Sequence, residues 1–168
     1  MFSLKRELVD NRTLKLNLDN LRINYKLNLV SKNMTNKIQR ILVPLDGSEN
    51  SLRGLENAIT IAKPVGAAIT GLHIIHIPAR SAIQFTPQQR KKEISFAESL
   101  IEKAIGTATK NGVNFKPRIE TGNPAEKIVQ IAKDGNYDLV VIGSRGRGAK
   151  KEMFLGSVSN QVLHKTGA

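Results

Sequence analysis

The sequence has no cysteine and no tryptophan, and its aromatic residues are limited to five phenylalanines and two tyrosines. Without cysteine there are no disulfides, no thiol nucleophile and no Cys-ligated zinc or iron–sulfur site. With so few aromatics, the stacking platforms that hold single-stranded nucleic acid are hard to build. Long apolar runs are also missing. The longest are four or five residues, as in Leu139–Ile142, far short of the roughly 20 needed to cross a bilayer. The N-terminal stretch MFSLKRELVDNRTLKL is basic but has no continuous apolar segment, so it does not read as a secretory leader, and a cytoplasmic location is expected. Residues 1–37 contain neither glycine nor proline, although the whole chain has 13 and 6 of them.

What is present is a 168-residue chain of ordinary globular composition, 40% hydrophobic and 24% charged, long enough for one domain with a proper core. Its formal net charge is +12. Residues 1–40 carry nine basic and three acidic side chains and the remainder carry seventeen and eleven, so the much shorter first part holds half the excess. Such a balance favours anionic partners, with simple solubility as the plain alternative.

Residues 1–36 form a segment unlike the rest. Leu14, Leu16 and Leu18 alternate with polar residues, Asp19-Asn20 interrupts, and Leu21, Ile23, Tyr25, Leu27 and Leu29 alternate again. Period two on both sides of a short break predicts a hairpin, in competition with a dispensable extension. Residues 37–168 read as the folded domain, with strand and helix patterns alternating. Ile38–Leu45 is a strand ending at Asp46-Gly47-Ser48, and Ser48 is placed to cap a helix through Leu52, Leu55, Ile59 and Ala62 that Pro64 and Gly66 stop. Ala67–Ile77 is a nearly continuous apolar strand, as expected of one buried on both faces. After a loop over Pro78–Pro87, in which the following Arg90-Lys91-Lys92 reads as a solvated turn, a second helix runs from Ile94 through Ala108 to Asn111-Gly112. Val113–Glu120 is a third strand, put at a sheet edge by Pro117. Asn123-Pro124-Ala125-Glu126 opens a third helix with a cap, a proline at the first position and an acidic third residue. Leu139–Ile142 is a fourth, buried strand, and a last helix starts near Ser157. Strands alternating with helices predict an α/β fold, a doubly wound parallel sheet covered on both faces, with ligands beyond the carboxyl ends of the strands where the order reverses.

The strongest chemical signal lies at that end of the fourth strand. Gly143, Gly146 and Gly156 with the hydroxyl of Ser157 give the spacing G-x2-G-x9-G-S between a strand and a helix start. Such a loop brings backbone N–H groups and a helix N-terminus to an anion. Turn geometry or close packing alone would also call for glycine. No G-x4-G-K-[ST] is present, and glycines 143, 146, 148 and 156 do not give GxGxxG. Asp46, at the end of the first strand, either caps the helix behind it or contacts a ligand. If the first and fourth strands are neighbours, it faces the same crevice as the loop. Arg145, Arg147, Lys150 and Lys151 supply fixed cations, with Arg147 first by position, while Met153, Phe154 and Leu155 pack the loop onto the body. His73 and His76, three apart on a strand, point to opposite faces and cannot share a metal, so packed or hydrogen-bonded histidines are expected. No Ser-His-Asp set, converging carboxylate pair or Walker-type lysine marks a catalytic centre.

Val43-Pro44-Leu45-Asp46-Gly47-Ser48 together with Gly143-x2-Gly146-x9-Gly156-Ser157 resembles the universal stress protein family over residues 37–168. The resemblance implies a flavodoxin-like, adenine-nucleotide α-hydrolase-like α/β/α fold and an ATP-binding regulator, not a dedicated enzyme, with Mg2+ accompanying the ATP. It puts Asp46 at the ribose and adenine side, Ile74 beside the adenine, and Ile142 and Gly143 under the nucleoside, with Pro44 and Leu45 also among the cofactor-binding residues. Ser144, Gly146, Arg147, Gly156, Ser157, Val158 and Ser159 then surround the phosphates. A homodimer and an unidentified protein partner are also implied, with no membrane or nucleic-acid role. Slow ATP hydrolysis or nucleotidyl transfer on the same scaffold is the alternative, and a basic nucleic-acid-binding module a weaker one. The family's fifth strand, which follows the last helix and often pairs across the dimer, is not expected in Lys165-Thr166-Gly167-Ala168, and the N-terminal hairpin is the alternative cover for that sheet edge.

Overall fold

The structure, a computed structural model, describes residues 38–76, 86–147 and 155–166. The extension over 1–36, with its predicted hairpin, lies outside the described residues, as do Lys150, Lys151, Met153 and Phe154.

Eight elements alternate as expected. They are β1 (Arg40–Pro44), α1 (Glu49–Val65), β2 (Ala68–Ile75), α2 (Pro87–Lys110), β3 (Phe115–Thr121), α3 (Pro124–Asp134), β4 (Leu139–Val140) and α4 (Ser157–Thr166). The described strands form one parallel sheet in the order β3-β2-β1-β4. Successive β1 side chains leave opposite faces, and the two cores follow from that. Ile41 and Val43 pack with Leu55, Ile59, Leu100 and Ile101 of α1 and α2. Leu42 packs with Ile128, Val129, Ile131 and Val162 of α3 and α4. The result is three layers, with β1 and β2 buried on both sides as their unbroken apolar sequences require.

The caps are where the sequence put them. Ser48 accepts the Ser51 N–H at 3.2 Å, Asn123 accepts the Glu126 N–H at 3.3 Å, and Gly66 closes α1 at φ 69° with its N–H on the Ala62 carbonyl. Pro64 lies within the last turn of α1, so the helix runs one residue past the expected proline stop. Arg90, Lys91 and Lys92 are not a turn. Thr86 and Gln89 form a reciprocal capping box with Pro87 at the first position, which starts α2 seven residues before its apolar stripe begins at Ile94. The three cations are exposed on the first turns of that helix.

Two strands also differ from expectation. β3 begins at Phe115, and Pro117 does sit on an edge strand, exposed through most of its length. β4 pairs only at Leu139 and Val140, opposite Ile41 and Leu42, with one further bond from the Val141 N–H to the Leu42 carbonyl at 2.9 Å. It was expected to be buried and is half-buried, because among the described residues it has a neighbour on one side only.

Candidate functional site

From β1 the chain passes to β2 and β3 on one side, then crosses to place β4 on the other. The carboxyl ends of β1 and β4 therefore diverge into two loops that face each other, which is where ligands collect in open parallel sheets.

The β1 loop turns at Gly47, whose φ of 83° favours glycine. This turn folds the Asp46 carboxylate back over the start of α1. Its Oδ1 accepts the Ser48 N–H at 3.0 Å and the Ser48 hydroxyl at 2.6 Å, and its Oδ2 accepts the Arg147 N–H at 3.0 Å from the β4 loop. Burial opposes ionisation of Asp46, but these bonds from Ser48 and Arg147 outweigh it and hold the carboxyl below the usual carboxylate range. Asp46 is thus both a brace for the helix start and a tie between the loops.

The β4 loop needs its glycines for close approach, not for positive φ, which none of the three adopts. A Cβ on Gly143 would lie 2.9 Å from the Asn50 carbonyl carbon, in the first turn of α1. One on Gly146 would lie 2.5 Å from Asp46 Oδ2, and one on Gly156 3.3 Å from Arg145 Cα. Gly156 also donates its N–H to the Ser144 carbonyl at 2.7 Å, which pins the start of α4 against the loop. The hydroxyl of Ser159 donates to the Gly143 carbonyl at 2.7 Å.

Between the loops lies a cavity of about 610 Å³, a size that suits a small organic ligand. Twelve of the thirteen residues picked from the sequence line it. Pro44, Leu45 and Asp46 come from β1 and its loop, Ile74 from β2, and Ile142, Gly143, Gly146, Arg147, Gly156, Ser157, Val158 and Ser159 from the β4 side. Ser144 does not line it; its carbonyl is used in holding Gly156. The Ser159 hydroxyl is spent on Gly143, and its backbone N–H lies in the first turn of α4, where intrahelical acceptors are lacking.

Sequence reasoning missed Ser51, Leu72, Glu93, Pro124 and Ile128, which also line the cavity. Leu72 and Ile128 continue the apolar floor, and Pro124 opens α3 at the same sheet end, so the strand-end rule could have found it. His73 and His76, expected as packed or hydrogen-bonded histidines, also line the cavity. His76 is exposed, with Nδ1 3.1 Å from the Gly122 carbonyl. His73 is 2% exposed, with Nδ1 2.7 Å from the Leu45 carbonyl. A carbonyl only accepts, so Nδ1 carries a proton, while Nε2 is buried and without a partner among the described residues.

The cavity thus has an apolar floor (Leu72, Ile74, Ile128, Ile142). The same lining also includes the N-terminus of α4, serine hydroxyls, Arg145 and Arg147, and the carboxylates of Asp46 and Glu93. Among the described residues no group of three or more His, Asp or Glu is placed to hold a metal ion.

The family model described as "Universal stress protein family" matches residues 37–167. The chain belongs to the universal stress protein family. Universal stress protein MJ0531 of Methanocaldococcus jannaschii is 29% identical over 145 residues, covering 83% of this chain and 84% of the relative. Universal stress protein YxiE of Bacillus subtilis is 31% identical over 137 residues, covering 73% and 90%. Among solved structures, that of hypothetical protein MJ0577 superposes with a TM-score of 0.69 at 29% identity, covering 77% of this chain and 90% of that one. The universal stress protein fold is therefore shared over the described region. Among the described residues no helix is long and apolar enough to cross a membrane.

Proposed function

We propose that the cavity holds ATP and that the protein is a nucleotide-responsive regulator of the stress response. The observation that carries this reading is the Asp46–Arg147 contact, which joins the two sequence motifs at one cavity on the β1/β4 switch point. In this reading the adenine lies on the apolar floor beside the Ile74 backbone. A carboxylate offers about four acceptor positions. Asp46 accepts from Ser48 and Arg147, and in this reading it also accepts a ribose hydroxyl. The phosphates meet the N–H groups of Ser157, Val158 and Ser159 at the start of α4, with Arg147 beside them. Mg2+ would be carried by the phosphates and their waters, as is usual for this ion, since the described residues form no cage for it.

Regulation is favoured over catalysis by the state of Asp46. An ionised carboxylate held below the usual range and bonded by three donors is a poor general base. The dimer and the protein partner implied by the family belong to the same reading. The test is calorimetric titration with ATP, ADP and cAMP. The last is included because a universal stress protein solved in complex with cAMP shares the fold at a TM-score of 0.56 and 24% identity. Saturable ATP binding is expected, weakened tenfold or more by Gly156→Val, whose side chain would push Arg145 and Ser144 out of place. No binding by the wild-type chain at millimolar ATP would sink the proposal.

A further inference from the structure

Phe96, on the face of α2 that turns toward the sheet, is 36% exposed and is not part of the cavity wall. Yet three separate features of the chain are fitted around its ring. Gly47 leaves room for it, since a Cβ there would lie 2.8 Å from Phe96 Cζ. His73, itself held by the Leu45 carbonyl, meets the ring edge to face at a centroid distance of 5.7 Å. The guanidinium carbon of Arg147 sits 4.4 Å above the ring centroid. Arg147 lines the cavity, and its charged end is held by an aromatic face about fifty positions earlier in the chain.

We propose that Phe96 is a positioning residue for Arg147 and so sets how strongly this site prefers phosphate-bearing ligands to the bare nucleoside. The inference rests on the nucleotide reading above. Its physical basis is the shape of the guanidinium group. Stacking uses the flat face, while the five N–H donors lie in the plane and stay free for phosphate oxygens. Phe96 and a phosphate can therefore hold Arg147 at the same time. A side chain already ordered before the ligand arrives loses less freedom on binding it. The backbone of Arg147 is fixed independently by Asp46, so the Phe96 contact acts on the side chain alone.

The experiment compares ATP and adenosine affinities of the wild type, Phe96→Leu, Phe96→Tyr, Arg147→Ala and the Phe96→Leu/Arg147→Ala double variant. Leucine keeps the apolar bulk and removes the π face; tyrosine keeps the face. The ratio of ATP to adenosine affinity should fall about 2–5-fold in Phe96→Leu, the scale of a partly exposed cation–π contact. It should be retained in Phe96→Tyr and fall no further in the double variant than in Arg147→Ala. A Tyr variant as impaired as Leu, an unchanged ratio, or additive losses would each overturn the role of Phe96. A second measurement needs no ligand: the side-chain Nε–H resonance of Arg147 should be displaced by the Phe96 ring current and return in Phe96→Leu. An undisplaced signal overturns the proposal directly. If that signal is displaced but the wild type binds no ATP, the nucleotide reading fails and the discrimination role fails with it. If ATP binds and Phe96→Leu leaves the ratio alone, only the role of Phe96 fails.

Discussion

At the scale of single residues, the glycines carry two different jobs that look identical in a sequence. Gly143 sits where its missing Cβ allows the β4 loop to touch the backbone of α1, with 2.9 Å to the Asn50 carbonyl carbon. Backbone cannot yield as a flexible side chain can, so Gly143→Ala should destabilise by about 1–3 kcal/mol. Gly106 lies inside α2, and a methyl group added there would meet nothing within 4 Å. At that position an alanine removes backbone freedom from the unfolded chain and should stabilise by about 0.5–1 kcal/mol. Urea denaturation of the two single variants checks both signs. Equal effects would mean that loop-to-helix packing is not what Gly143 provides. The motif spacing made Gly143, Gly146 and Gly156 visible, but spacing cannot tell an anion-facing glycine from one that fits between two loops. Ser144 and Ser159 went the same way. Their positions in the motif were legible, while the use of the Ser144 carbonyl and the Ser159 hydroxyl inside the loop depends on contacts between segments far apart in the chain. Glu93 gave no local signal, because only the fold brings α2 to the cavity.

At the scale of elements, strand and helix identity was legible because period and caps agree, as at Ser48, Asn123 and Gly66. Boundaries failed where a cap lay outside the apolar stripe, as at Thr86 before α2, or where pairing stopped early, as in β4. The short β1–β4 ladder is reinforced by a side chain. Asp138 Oδ2 accepts the N–H groups of Gln39 and Arg40, both at 2.9 Å, at the point where β1 begins. Those two backbone bonds are the main reason its carboxyl lies below the ordinary range. Its folded pKa is depressed relative to about 3.9 in the unfolded chain. The stabilisation is therefore fully present above that unfolded value and is lost as pH falls through the folded one. Asp138 is exposed, so solvent screening keeps the contribution small. Asp138→Ala should cost about 0.5–1 kcal/mol at pH 7, and the gap from wild type should close below about pH 4. Denaturation midpoints between pH 3 and 7 test this. A gap that widens in acid would show that the carboxylate is not the stabilising form.

At the scale of the whole molecule, the cavity is the place where both cores and both loops meet. Leu45 belongs to the α1/α2 core, while Leu72, Ile128, Ile142 and Val158 belong to the α3/α4 core, and all five line the cavity. A ligand seated there contacts both layers and should raise the unfolding free energy of the domain as a unit. For one site, a ligand at 100 times its dissociation constant stabilises by about 2.7 kcal/mol. For a domain of this size that corresponds to a rise in Tm of roughly 10 °C. The formal charge of +12 adds a second expectation. Attraction between a basic protein and a polyphosphate is screened over about 8 Å at physiological ionic strength and about 3 Å at 1 M. The ATP-induced rise in Tm should therefore shrink as salt is raised at fixed ligand concentration, while any rise induced by adenosine should hardly change. Scanning calorimetry with each ligand from low to high salt separates the two components. The adenosine response measures the apolar floor, and the salt-sensitive difference measures the loop with its helix N-terminus and guanidinium groups. A salt-independent ATP response would mean that the positive charge of this chain serves solubility and not the site.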